Sequence, residues 1–149
     1  MEWIATFIIS WVIFFIFIDK ERLKHTALGG LAAIILQLVV DTGASAMGLY
    51  QVDSMFQLGG ASALFTFGVV FTMGTLFVQF MPAHRWLKVA HIVALSTLFL
   101  GLEYLLVQRN LITYPYWSMW ASYFTNLMVF IAITWLAGLL RLTATPDRY

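Results

Sequence analysis

Two acidic residues lie deep inside apolar runs of the chain, Asp41 and Glu103. An ionisable side chain at the centre of a spanning helix costs about 2.5–3.5 kcal/mol on insertion scales, so it marks an ion or proton path, a ligand site or a buried structural pair. Two carboxyls held near one another can bind a cation, share a proton or divide acid and base roles.

Their depths match. Asp41 is 16 positions beyond His25, and Glu103 is 15 beyond Lys88. At about 1.5 Å per residue both carboxyls lie some 22–24 Å above the basic boundary, in the outer half of a bilayer. Their helix faces also carry other polar groups. Gly30, Ala33, Gln37, Asp41, Ala44 and Gly48 recur at steps of three or four, which is one helical face. Ser96, Phe99 and Glu103 share a face, as do Ser122 and Asn126. Gly68, Thr72, Thr75 and Gln79 form a stripe that runs deeper. Small residues let helices approach closely, and polar ones must face protein or water. These faces predict a small polar pocket that opens outward over an apolar floor. Asp41 and Glu103 are its proton- or cation-binding groups, with Asn126, Tyr104 and Gln37 as hydrogen-bond partners. Tyr114, Trp117 and Trp120 stand at the mouth with Arg109.

No Lys or Arg lies within a predicted span. The two carboxyls are therefore held neutral, share a bound cation, or are covered by Arg109. Arg109 is six positions from Glu103, the wrong phase for a pair on one helix.

The elements that must position these groups follow from composition. Of 149 residues, 62% are apolar and 10% charged, and the mean hydropathy is +0.88. A soluble domain has about 45–50% apolar and about 25% charged residues, so the chain belongs in a bilayer. Without cysteine there is no disulfide framework or thiolate chemistry. A net charge of +1 gives no footing for nucleic acid. A spanning helix needs about 20 mostly apolar residues. Five stretches qualify: Trp3 to Ile18, Thr26 to Met47, Ala61 to Met81, Val89 to Gln108 and Ser118 to Leu140. The expectation is a single all-α domain over 1–149, a five-helix transmembrane bundle.

The first stretch does not read as a cleavable signal, because nothing basic precedes it and no small-residue cleavage pattern follows. Lys20, Arg22, Lys24, Arg85, Lys88, Arg141 and Arg148 all fall on one side, with Arg109 alone on the other. Positive charge marks the cytoplasmic face, which predicts the N-terminus outside and the C-terminus inside. The run from Tyr114 to Trp120 packs rings that suit the headgroup level, as a belt or as a wall facing a ligand.

Other motifs carry less. Val39-Val40-Asp41-Thr42-Gly43-Ala44-Ser45 resembles the active-site signature of pepsin-type proteases. That family needs paired loops in a β-rich fold, and no second copy exists here. His25, His84 and His91 lack metal-ligand spacing. No phosphate loop, dinucleotide fingerprint or serine elbow is present, so neither cofactor nor metal is expected. Five spans with many aromatics are similar to the tryptophan-rich translocators, but Pro82, Pro115 and Pro146 form no such proline motif.

Asp41 with Gly43, then Glu103 before an apolar run, then Tyr114, Trp117, Tyr123 and Asn126 resemble a pattern in small multispanning membrane proteins of spore-forming bacteria. That family has no assigned biochemical function. The resemblance covers roughly Val40 to Asn126, and the loop after Gly48 departs from it by lacking Trp. It implies that the acidic pair and the aromatic loop belong together, in a bacterial cell membrane. Three functions stay open: binding or permeation of a small solute, cation or proton; assembly of a larger membrane complex or homo-oligomer; and an enzyme acting on lipid at the outer leaflet.

Overall fold

A computed structural model describes residues 1–142. Arg148, counted above among the cytoplasmic charges, lies outside the described residues. The chain is mostly helical: α1 is Glu2–Phe17, α2 Leu23–Ala46, α3 Ala63–Gln79, α4 Arg85–Gln108 and α5 Met119–Leu139. Three of these, α2, α4 and α5, are long and apolar enough to cross a membrane. The other two are apolar but shorter.

The helix ends follow local chemistry. Ser118 caps α5 by accepting a hydrogen bond from the Ala121 N–H at 3.1 Å. Ser62 does the same for α3, from the Phe65 N–H at 3.4 Å. After α2 the chain turns at Gly48 with φ 68°, a conformation glycine takes without strain.

Helices α2 and α3 cross where neither has a side chain. A Cβ added to Gly74 would lie 2.6 Å from the Ala33 Cβ and 2.7 Å from the Gly29 carbonyl oxygen. Backbone therefore meets backbone, as small residues allow in apolar surroundings. The α2 stripe is largely buried as its spacing predicts, with Gly30, Ala33, Asp41 and Ala44 inside; Gly48, past the helix end, is exposed.

The deeper stripe of α3 has a different fate. Gly68, Thr72 and Gln79 pack on α1 and its following loop, Thr75 lies against Gly30 of α2, and none of the four lines the cavity between the acids. Within α3 the residues Thr66–Val70 form a π turn, and Gly68 there abuts Phe7 of α1. The Thr72 hydroxyl donates to the Ser10 carbonyl at 3.4 Å. The Gln79 amide donates to the Phe17 carbonyl at 2.7 Å and accepts from the Asp19 N–H at 2.8 Å. Gln79 thus satisfies backbone groups left free at the end of α1 and in the following loop, whereas Thr72 meets α1 at mid-helix.

The loops on the far side from Lys24 and Arg85 contain short strands that an all-helical expectation omits. Strand β1, Gln51–Val52, pairs antiparallel with β4, Ile112–Thr113. Strand β2, Gln57–Leu58, pairs with β3, Ala61–Ser62. The β1–β4 register sets Gln51 opposite Thr113 and Val52 opposite Ile112. Alternation along a strand puts Tyr50 with Val52, and Ile112 with Tyr114, on one face. Gln51 and Thr113 take the other face and are exposed. Two loops thus join into a lid whose inner face is aromatic and apolar.

Candidate functional site

Under the lid lies a cavity of about 50 Å³. Gln37 and Asp41 of α2, Phe99 and Glu103 of α4, and Ser122, Thr125 and Asn126 of α5 form its walls. Trp3, near the start of α1, and Ala61, Ser62 and Phe65, around the start of α3, complete them. Tyr50, Val52, Ile112 and Trp117 close it from the lid side. The short helices explain the space. Helices α1 and α3 begin at the level of the carboxyls, whereas α2 and α4 each continue about five residues, or about 7.5 Å, beyond them. The lid fills the recess left above the short pair. The N-terminus of α3 also meets the cavity there, and a helix N-terminus favours nearby negative charge.

Each carboxyl is held by a tyrosine from the lid. The Tyr50 hydroxyl donates to Asp41, and the Tyr114 hydroxyl donates to Glu103. The Gln37 amide donates to both Asp41 oxygens, at 2.9 and 3.0 Å. The Ser122 hydroxyl donates to Glu103 at 2.7 Å, and the Trp117 indole N–H donates to Ser122 at 2.6 Å. The two tyrosine rings stand 6.4 Å apart. Such charge-assisted hydrogen bonds are about twice as strong as neutral ones. Trp3 steadies the lid by donating its indole N–H to the Asp53 carbonyl. Among the described residues no basic side chain lines the cavity.

Burial pushes the Tyr50 and Tyr114 phenols above their usual range, and the neighbouring carboxylate adds to the shift in each. Both therefore remain protonated donors through neutral pH. A folded pKa above the unfolded value means that this stability is complete below about pH 10, the ordinary tyrosine value, and is lost as pH rises beyond it. Tyrosinate absorbance should show two phenols ionising after the others, at the pH where the fold gives way. Simultaneous ionisation of every tyrosine near pH 10, with the fold intact, would contradict this.

The structure brings Asp41, Glu103, Gln37, Asn126 and Trp117 to one cavity, and Tyr114 to its edge. Three expected members lie elsewhere. Tyr104 follows Glu103, so it points about 100° away around the helix; it is 50% exposed. Trp120 is 73% exposed on the outer turn of α5. Arg109 is exposed at the end of α4, outside the cavity lining. Its six-residue offset turns it to the far side of the helix from Glu103, so it does not cover the acids. Among the residues that hold the acids or the lid, three go beyond the expected set: Tyr50, Ser122 and Trp3. Tyr50 follows the Gly48 turn closely enough to fold back on Asp41, which is a signal the sequence does carry. Ser122 was placed on the right face but not named as a partner of Glu103. Trp3 had no local signal.

Asn126 is buried, and among the described residues its amide nitrogen has no hydrogen-bond partner. It also borders a second cavity of about 20 Å³ beneath the first, as do Gln37 and Phe99. Among the described residues no group of three or more His, Cys, Asp or Glu side chains could hold a metal ion. No family model, curated protein or solved structure matches this chain.

Proposed function

We propose that the chain crosses the cell membrane five times, with its N-terminus outside and its C-terminus in the cytoplasm, and binds a small cation or a proton in an outward-facing acidic cavity. One observation carries the binding reading: two carboxyls line a single small cavity that, among the described residues, has no basic side chain. Ionisable groups in apolar surroundings are costly, and by default they mark a functional site. The five-crossing reading draws support from the site itself. Helix α1 spans only about 24 Å at 1.5 Å per residue, and the lid completes the thickness above it. The orientation rests on the distribution of Lys and Arg. The family resemblance agrees with an acidic pair beneath an aromatic loop.

Melting of the purified protein in detergent, across pH 5–8 and across monovalent salts, tests the function. A ligand at ten times its dissociation constant stabilises by about 1.4 kcal/mol, which raises Tm by about 3–6 °C in a chain of this size. We expect such a shift in the wild type, and its loss in Asp41→Asn and in Glu103→Gln. Unaltered behaviour of both variants would overturn the binding reading. A stoichiometric co-purifying protein with no ligand-dependent shift would favour an assembly subunit instead. The chain has no cysteine, so single cysteines at Lys24 and Met55 report orientation directly. Met55 should label from outside and Lys24 only after permeabilisation; the reverse pattern would invert the topology.

A further inference from the structure

We propose that the occupant of the acidic cavity is a small ammonium cation, ammonium itself or methylammonium, entering with one water molecule. This rests on the acidic-cavity reading and narrows it. Three features of the cavity point the same way.

The first is its size. A cavity of about 50 Å³ accommodates only a few water-sized bodies, since each needs about 10–15 Å³ by this measure. That matches an ammonium ion and a water, and it is small for a quaternary amine or a lipid headgroup.

The second is the shortage of oxygen ligands. Calcium takes six to eight oxygens, and magnesium demands an octahedron. Here both Asp41 oxygens already accept from Gln37, and one also accepts from Tyr50. One Glu103 oxygen accepts from Tyr114 and from Ser122. Among the described residues the second Glu103 oxygen accepts no hydrogen bond. One open carboxylate oxygen suits a cation that brings its own N–H donors, and it is too little for a bare metal ion.

The third is the wall. Successive aromatic rings around the cavity stand steeply to one another. Trp3 and Phe65 are 6.0 Å apart at 80°, Phe65 and Phe99 5.6 Å apart at 66°, and Tyr50 and Trp117 5.4 Å apart at 72°. These rings line the cavity, and an ammonium group that meets the face of any of them is attracted by its negative quadrupole. The buried Asn126 amide nitrogen, without a partner, supplies a donor to the oxygen of the accompanying water. That water donates in turn to the carboxyl side of the chamber.

The experiment is isothermal titration and melting of the full-length protein in detergent at pH 7 and constant ionic strength. Ammonium, methylammonium, sodium, calcium and tetramethylammonium chlorides are the probes. Ammonium and methylammonium are expected to bind at least tenfold more tightly than sodium, while calcium and tetramethylammonium leave Tm unchanged. Phe65→Leu and Phe99→Leu, which remove one ring each and keep both acids, are expected to erase the preference over sodium without abolishing cation binding. Glu103→Gln is expected to abolish both. Equal binding of sodium and ammonium overturns this inference and leaves the acidic-cavity reading standing. Absence of any salt or pH effect on the wild type overturns both. The titrations on the wild type decide the matter even if a ring variant fails to fold.

Discussion

Replacing Gly74 with leucine is expected to cost about 3 kcal/mol or more, and to abolish the folded state in most detergents. Overpacking a close-packed site costs about 1–3 kcal/mol when neighbours can shift, and more when they cannot. Here they cannot. The new Cβ alone would come within 2.7 Å of the Gly29 carbonyl oxygen and 3.0 Å of the Gly30 Cα, which are backbone atoms of α2. Helices α2 and α3 must separate along their length, and Asp41 moves with α2. The matched control is Gly101→Leu, where an added Cβ meets nothing within 4 Å. That variant should melt within about 1 °C of the wild type, or above it, because leucine favours helix. Equal stability of the two leucine variants would show that the α2–α3 crossing is not the tight contact described above.

The second large effect is expected at Asp41. Alanine there strands the Tyr50 hydroxyl and the Gln37 amide, both of which donate to the carboxyl. Each buried group left unsatisfied costs about 1–3 kcal/mol. The loss is local before it is global, because Tyr50 immediately precedes β1. Amide exchange should therefore quicken at Gln51, Val52, Ile112 and Thr113, while the middle of α5 around Phe130 stays protected. Tyr50→Phe should give the same pattern at lower cost, since it leaves only the Asp41 and Gln37 pairing. Wild-type exchange in the lid of Asp41→Ala would mean that the phenol–carboxyl bond does not hold it.

The candidate site was partly legible in the sequence. Counting from the basic boundary places Asp41 and Glu103 at one depth, and the structure puts both in the walls of one cavity. Helical spacing also found Gln37 and Asn126, because polar residues on an apolar helix must face inward. What the counting could not reach was the lid. Strands of two residues have no periodicity to detect, and the β1–β4 pairing joins positions about sixty residues apart. Tyr104 and Trp120 were drawn in by residue type alone, yet their positions around α4 and α5 turn them outward. The α3 stripe was read correctly as buried. Its partners are α1 and the loop after it for Gly68, Thr72 and Gln79, and Gly30 of α2 for Thr75, which composition cannot reveal. The helix count fared similarly: apolar length identified five stretches, but not that two of them begin part-way down beside the acids.

The pairing of β1 with β4 has a mechanical consequence. It ties the outer end of α2 to the outer end of α4, so the helices that bear the two acids are yoked at their tips. Any change in the spacing of Asp41 and Glu103 must strain or shear that yoke. Gln51 and Thr113 face water from its upper surface. Spin labels or fluorophores at those two positions would act as a gauge on the chamber beneath, registering whether the two acids move together or apart.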